Sequence, residues 1–298
     1  RLLSSEAFVR HWSIVLDGWL MDRRPGIHVK IPEWQEYLRT SLADGKPYDQ
    51  LVREILSNDG SDAKNRAPAK FYLDRDFEPN IVTRDISRLF LGKNMQCAQC
   101  HDHPLVEDYK QEHYYGLMAF FNRSYLFPNV QAPTAVIAEK AEGEVSFTSV
   151  FDKTKTQKTT NPRVLGSKPL TEPKFEKGKE YKVAPAANVK PIPVYSRREQ
   201  IAAALTSTDN KAFARTAANR LWALLLGRGL IHPLDFDHSD NPPSHPELLD
   251  LLTTEFAKHK YDVKWFLREI ALSQTYQRSS EVSPKAKEAP VSSFGVAA

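Results

Sequence analysis

The chain has 298 residues, 41% of them apolar and 26% charged, the balance of an ordinary globular protein with room for about two domains of ~100–200 residues each. That composition excludes a disordered chain, a collagen-like fibre and a disulfide-stapled miniprotein, and no run approaches the ~18 apolar residues that span a bilayer. Forty-one Lys and Arg against 37 Asp and Glu leave a net charge of +4, too dilute over this length to be a nucleic-acid footprint.

Residues 1–125 read as helices. The chain opens at Arg1 instead of Met, which points to processing or trimming. Phe8, Trp12, Val15 and Trp19, with Leu16 and Leu20, form one broad apolar stripe at helical spacing, closed by Pro25–Gly26. Pro32 opens a second helix that turns Trp34, Tyr37, Leu38 and Leu42 inward. Asp49 to Leu56 and Ile81 to Leu91 predict two more, and the polar stretch Ser57 to Ala69 between them reads as a surface loop.

Residues 126–195 change character: eight prolines and ten lysines fall among them, and apolar residues alternate. Val145, Phe147, Ser149 and Phe151 predict a strand with one buried face, and Arg163 to Leu165 its partner across a Lys/Thr-rich turn. The segment reads as a small β insert or belt without chemistry of its own, its lysines a solvated face. Residues 196–280 return to helix. Ser196 with Glu199, and Ser244 with Glu247, predict capping boxes. Phe213 to Leu225 carries an apolar stripe stopped by Gly227 and Gly229, and a last helix runs from Val263 to about Tyr276. The tail, 281–298, has little to bury and is expected to pack loosely. The expected fold is thus mainly α, two helical regions flanking a small irregular or β insert.

The only two cysteines sit three apart, in Cys97-Ala-Gln-Cys100-His101-Asp102-His103-Pro104. Cys-x-x-Cys-His is the pattern of c-type haem attachment. Two thiols on one turn project to the same side, where they can form thioethers with the two vinyl groups along one porphyrin edge. The adjacent His101 then offers its imidazole to iron as the proximal ligand. Two other chemistries use a Cys-x-x-Cys pair. A redox dithiol usually sits in a parallel βαβ unit, and zinc needs two further ligands, one of which His101 or His103 could give.

The sixth position of a haem iron has three candidates here, His245, His11 and Met118. Each has a structural alternative: a helix start, the edge of the first apolar stripe, and core packing. His103 lies too close to His101 to reach the opposite face of one ring, and suits a hydrogen bond to a propionate or the backbone. The carboxylate of Asp102, beside Glu107 and Asp108, can orient His101 through its Nδ1–H, or be a solvated loop charge.

Residues 1–125 resemble the planctomycete cytochrome c-like domain. The resemblance rests on Leu91-Gly92, Cys97 to Pro104, Tyr114-Tyr-Gly116, Ala119-Phe-Phe121 and the segment Gly45 to Glu54. Residues 196–280 resemble its planctomycete-specific companion domain, through Asn219-Arg-Leu-Trp222, Leu226-Gly-Arg-Gly-Leu230, Asn241-Pro-Pro-Ser-His-Pro-Glu-Leu-Leu-Asp250 and Ser273-x-x-Tyr276. The resemblance implies an exported, periplasmic protein with one haem c on Cys97, Cys100 and His101, and a chain that is part of a longer one. It implies no reaction.

The expected function is single-electron transfer within a larger cytochrome complex or with a redox partner protein, without nucleic acid. A lone haem needs only about 100 residues, so the remainder is expected to dock a partner or form a cleft. The alternatives are a haem enzyme with an open distal site, and a haem-free helical binding module stabilised by zinc or a disulfide.

Overall fold

A computed structural model describes residues 1–128, 135–278 and 294 of the chain. The N-terminal region folds as α1 (Glu6–Met21), α2 (Ile31–Ala43), α3 (Tyr48–Ser57), α4 (Lys70–Leu73), α5 (Pro79–Leu91) and α6 (Gln111–Met118). The C-terminal region folds as α7 (Arg197–Leu205), α8 (Lys211–Leu226), α9 (Pro246–Lys258) and α10 (Val263–Leu272). Between them lie three antiparallel strand pairs. They are β1 (Ser124–Phe127) with β2 (Val136–Glu139), β3 (Val145–Phe147) with β4 (Lys158–Thr160), and β5 (Tyr181–Val183) with β6 (Ile192–Pro193). The architecture is mainly α with a small β insert. Among the described residues no helix is long and apolar enough to cross a membrane.

Local chemistry explains where the helices begin and end. The Ser5 hydroxyl accepts from the Phe8 amide and caps α1, and the Glu78 carboxylate accepts from the amides of Asn80 and Ile81 at the start of α5. Both groups satisfy orphan first-turn donors. Gly92 and Gly227, at φ 66° and 75°, end α5 and α8 in the left-handed conformation that suits a residue without Cβ.

One hydrophobic core runs through both helical regions. Tyr48 of α3 stacks on Phe213 of α8 at 5.5 Å and 12°, and Phe213 in turn meets Phe90 of α5 and Tyr261 beyond α9. The N- and C-terminal regions therefore bury their apolar stripes on one another.

The insert is tied in by buried charge. Arg197, with none of its side chain exposed, reaches Glu172 and Glu144 and donates to the carbonyls of Ala119 and Gly143. Arg123 joins the same two glutamates. The Glu139 carboxylate accepts from the Arg197 amide at 2.6 Å and the Ser196 hydroxyl at 2.5 Å, capping α7 from the neighbouring strand.

Several expectations are corrected. The partner of β3 is Lys158–Thr160, not Arg163 to Leu165, and β3 ends at Phe147. Arg163 instead donates its amide to the Gly116 carbonyl at 2.8 Å, and the missing side chain at Gly116 allows that approach. Ser196 accepts from the Glu199 amide, but its hydroxyl proton goes to Glu139. No capping box forms at Ser244, because His245 is the N-cap of α9 and Pro246 its first residue. Helix α10 ends at Leu272. The loop 57–69 contains two short 3-10 turns and leads into α4, whose buried Lys70 bonds the carbonyls of Pro25 and Val29 and the Asp74 carboxylate. A lysine satisfied three ways inside a core reads as surface in a sequence. The expectation for the tail lies outside the described residues, apart from Phe294, which is buried edge-on against Trp222 at 5.3 Å.

Candidate functional site

The cysteine motif lies in the loop that follows Gly92, and the C-terminal region holds the base of that loop. The Asn94 amide donates to the Asp235 carbonyl at 2.8 Å, and the Asp237 amide to the Gly92 carbonyl at 2.9 Å. Lys93 Nζ and the Tyr109 hydroxyl converge on the Asp237 carbonyl at 2.5 and 3.2 Å. The Ser239 amide donates to the Asp108 carboxylate at 2.7 Å. Asn219 fixes the other end of this clamp, donating to the Ile231 carbonyl at 2.9 Å and accepting the Ile231 amide at 3.0 Å. Gly229 leaves room for it, since a Cβ there would lie 2.4 Å from the Ile231 carbonyl oxygen. Asn219 and Gly229 thus hold the backbone that grips the cysteine loop.

Within the loop, Cys97–Gln99 forms a 3-10 turn, with the amides of Cys100 and His101 donating to the Cys97 carbonyl. Ala98 points inward onto a small core of Met95, Val106, Tyr109 and Tyr114. Cys97 and Cys100 stand outward as exposed free thiols. Helix α6 braces the turn from below. The Tyr115 hydroxyl donates to the Gln99 carbonyl at 3.0 Å, and buried Gln111 bridges the carbonyls of Gln99 and Thr148 at 3.4 and 3.3 Å. Burial pushes the Tyr109, Tyr114 and Tyr115 hydroxyls above their usual range, so all three remain protonated donors.

Backbone partners set the two motif histidines in opposite tautomers. His101 Nδ1 lies 2.6 Å from the Asp102 carbonyl, which can only accept, so the ring proton is on Nδ1 and Nε2 carries a lone pair. His103 Nδ1 accepts from the amides of Leu105 and Val106 at 3.2 and 3.0 Å, which places its ring proton on Nε2. Only His101 presents a metal-ligating nitrogen. The partner of His101 is the Asp102 main chain and not its carboxylate, which instead accepts from the Gln111 amide at 2.7 Å and caps α6.

The insert reaches this site, although its sequence predicts no chemistry. The Val150 amide donates to the Cys100 carbonyl at 3.0 Å. Phe147 stacks on Tyr115 at 4.6 Å and 6°, and Phe151 lies 4.7 Å from the His101 ring. A cleft of about 430 Å³ separates the motif loop from the hairpin, lined by Asp102, Gln111, Phe147, Ser149 and Lys158. Leu105, four residues after His101, and Val150 and Phe151, which contact Cys100 and His101, are exposed by 82%, 65% and 73%. A larger cleft of about 610 Å³ lies at the start of α1, away from the cysteines.

The candidate sixth ligands lie in other surroundings. His245 contacts Ser244 and Phe294 at the start of α9, and His11 sits exposed on α1 beside Trp12. Met118 packs against the small core that holds Ala98. Among the described residues, no hydrogen bond or ring contact joins any of them to His101.

The donor set fits a covalently attached haem: two free outward thiols on one turn, a neighbouring imidazole with its Nε2 lone pair available, and the exposed apolar residues Val150 and Phe151 beside them. It fits the other chemistries less well. Among the described residues no three His, Cys, Asp or Glu side chains gather as a metal site, which leaves zinc short of ligands. All described strand pairs are antiparallel, so the turn stands outside the βαβ setting of a redox dithiol.

Residues 1–125 match the family model described as a protein of unknown function (DUF1549), and residues 197–294 match a second described as a protein of unknown function (DUF1553). The chain therefore carries the planctomycete-type pair of domains. No curated protein and no solved structure matches it.

Proposed function

We propose that this chain, with its paired domains of unknown function, is an exported c-type haem protein that carries single electrons as part of a larger redox assembly. The observation that carries this reading is the His101 imidazole, held through Nδ1 with Nε2 unpaired beside two exposed free thiols. Cys97 and Cys100 would supply the thioethers and His101 the proximal nitrogen. A haem bound there supplies one-electron chemistry, with the axial ligands, neighbouring hydrogen bonds and solvent exposure as the levers on its potential. The chain's own contribution is rigidity. The clamp from residues 231–239 and the brace from α6 hold the turn on two sides, and the Asp102 carbonyl fixes the tautomer of His101. Two covalent bonds suit a site that is a surface with a cleft beside it, where no enclosing pocket grips a ring. The size of the chain is accounted for in the same way, since residues from all three segments hold one short turn.

A second reading, a haem site with an open sixth position that binds a small molecule, is favoured by the placement of His245, His11 and Met118 away from His101. One preparation separates the two. The chain is expressed with a haem-attachment system in an oxidising compartment, and the pyridine haemochrome spectrum and intact mass are recorded. The expected result is one covalent haem per chain, lost in the Cys97→Ser/Cys100→Ser double variant; a mass without the adduct would refute both readings. A low-spin ferric spectrum supports the electron carrier and a high-spin one the open site. In either case His101→Ala changes the iron spectrum while the adduct mass remains.

A further inference from the structure

The two family models cover 1–125 and 197–294, and the hairpin of β3 and β4 falls between them. We infer that this hairpin is a positioning element of the cysteine motif, and that Phe151 covers the His101 imidazole and sets where its free nitrogen points. The inference builds on the haem reading for its purpose, but its geometry stands on the chain alone.

Three contacts dock the hairpin on the turn and not merely beside it. The Val150 amide bonds the carbonyl of Cys100, the residue immediately before His101. Gln111 ties Thr148 to Gln99 through one buried amide group, so the strand end and the turn share a single partner. Phe147 stacks on Tyr115, whose hydroxyl holds that same Gln99 carbonyl. With Thr148 and Val150 fixed, Phe151 has little choice of direction, and it lies at 47° to the His101 ring. The energetics also single out Phe151. A phenylalanine 73% exposed gains little from the core, so its place against the imidazole is not explained by burial. Val150, also exposed, extends the same apolar face. For His101, one hydrogen bond at Nδ1 leaves the ring free to swing about that contact. A wall on one side removes this freedom, which is what a ligand needs to be preorganised.

The test pairs Phe151→Ser with Leu224→Ser, a control at an exposed leucine on α8. In haem-free protein, acylation of histidines by diethyl pyrocarbonate is followed residue by residue by mass spectrometry. His113 serves as an internal reference, because its Nδ1 is likewise held by a backbone carbonyl, that of Asp108. Phe151→Ser is expected to raise the His101 rate several-fold against His113, Leu224→Ser to leave it unchanged, and Phe151→Leu to restore part of the protection. Equal His101 rates in wild type and Phe151→Ser would overturn the inference. In haem-loaded protein, Phe151→Ser is expected to keep the adduct mass but shift the Soret circular dichroism and the spin-state mixture. Spectra identical to those of wild type and Leu224→Ser would overturn the role toward the bound ring. A chain that takes up no haem removes the proposed function, and the acylation rates then decide the positioning role alone.

Discussion

The cysteine turn and the junction around Arg197 treat polar groups in opposite ways. At the junction, a fully buried guanidinium meets Glu172, Glu144 and three backbone or amide oxygens, and each neighbouring carboxylate has a partner. At the turn, two thiols and one imidazole nitrogen are left without partners at the surface, while the amides of Cys100 and His101 and the carbonyls of Cys97, Gln99, Cys100 and Asp102 are tied down. The first arrangement uses polar chemistry to fix the fold. The second uses the fold to fix polar chemistry and leaves its valences for something else. The difference separates a charged cluster whose groups satisfy one another from a small one whose donor atoms stay unpaired.

The largest effect on stability should come from the junction. Arg197→Met leaves Glu172 and Glu144 with Arg123 as their remaining cation and the carbonyls of Ala119 and Gly143 without this donor, and is expected to cost about 3–5 kcal/mol, read from urea unfolding. If the variant unfolds like wild type, the junction is not what joins the insert to the helices.

Next comes the clamp that connects the two regions' chemistry. Asn219→Ala leaves the amide and carbonyl of Ile231 without partners and should cost about 1–3 kcal/mol. Because the clamp holds the cysteine loop, alkylation of Cys97 and Cys100 should also become faster in this variant. Unchanged thiol kinetics would mean that the C-terminal region does not support the turn.

The junction should also give a two-signed pH response. Burial alone would raise the Glu172 carboxyl, but hydrogen bonds and charge from Arg197 and Arg123 outweigh it and hold the group below its ordinary 4.5. Its contribution is therefore present above that value and lost as pH falls through the lowered one. Glu139 goes the other way: burial raises it above 4.5 despite the hydrogen bond from Ser196 and the charge of Arg198. Its contribution is full below 4.5 and lost as pH rises through the raised value. Glu172→Gln should thus flatten the acid loss in a stability-against-pH curve, and Glu139→Gln should steepen the net acid loss by removing the opposing slope.

The smallest effect on folding should be at the cysteines. Cys97→Ser alters an exposed, unpartnered side chain and should change stability by less than about 0.5 kcal/mol. The same change should leave at most one thioether in the haem-attachment assay. A large loss of stability would blur the contrast between the two sites.

The insert is where sequence and structure part most. The alternation Val145, Phe147, Ser149, Phe151 marks the strand but assigns Phe151 to a buried face, whereas the chain turns after Phe147 and carries it to His101. Lys158–Thr160 has no apolar pattern that would mark it as the partner strand. Gln111 carries no signal either, and Tyr115 is marked only by the Tyr114-Tyr-Gly116 match and not as a donor, since an amide and a phenol on a helix look alike whether they face solvent or a backbone carbonyl.

The sequence by itself determined the helices and the donor set. Apolar stripes at helical spacing, proline at helix starts and glycine at helix ends are local features, and so is a pair of thiols next to an imidazole. Tertiary structure alone decided which nitrogen of each histidine is free, which carbonyls are taken and which segment covers His101. Those outcomes depend on partners dozens of residues away, such as Val150 on Cys100 and Asp235 on Asn94. The physical reason is that a hydrogen bond or a ring contact is specified by both partners, and the spacing along one strip of chain describes only one of them.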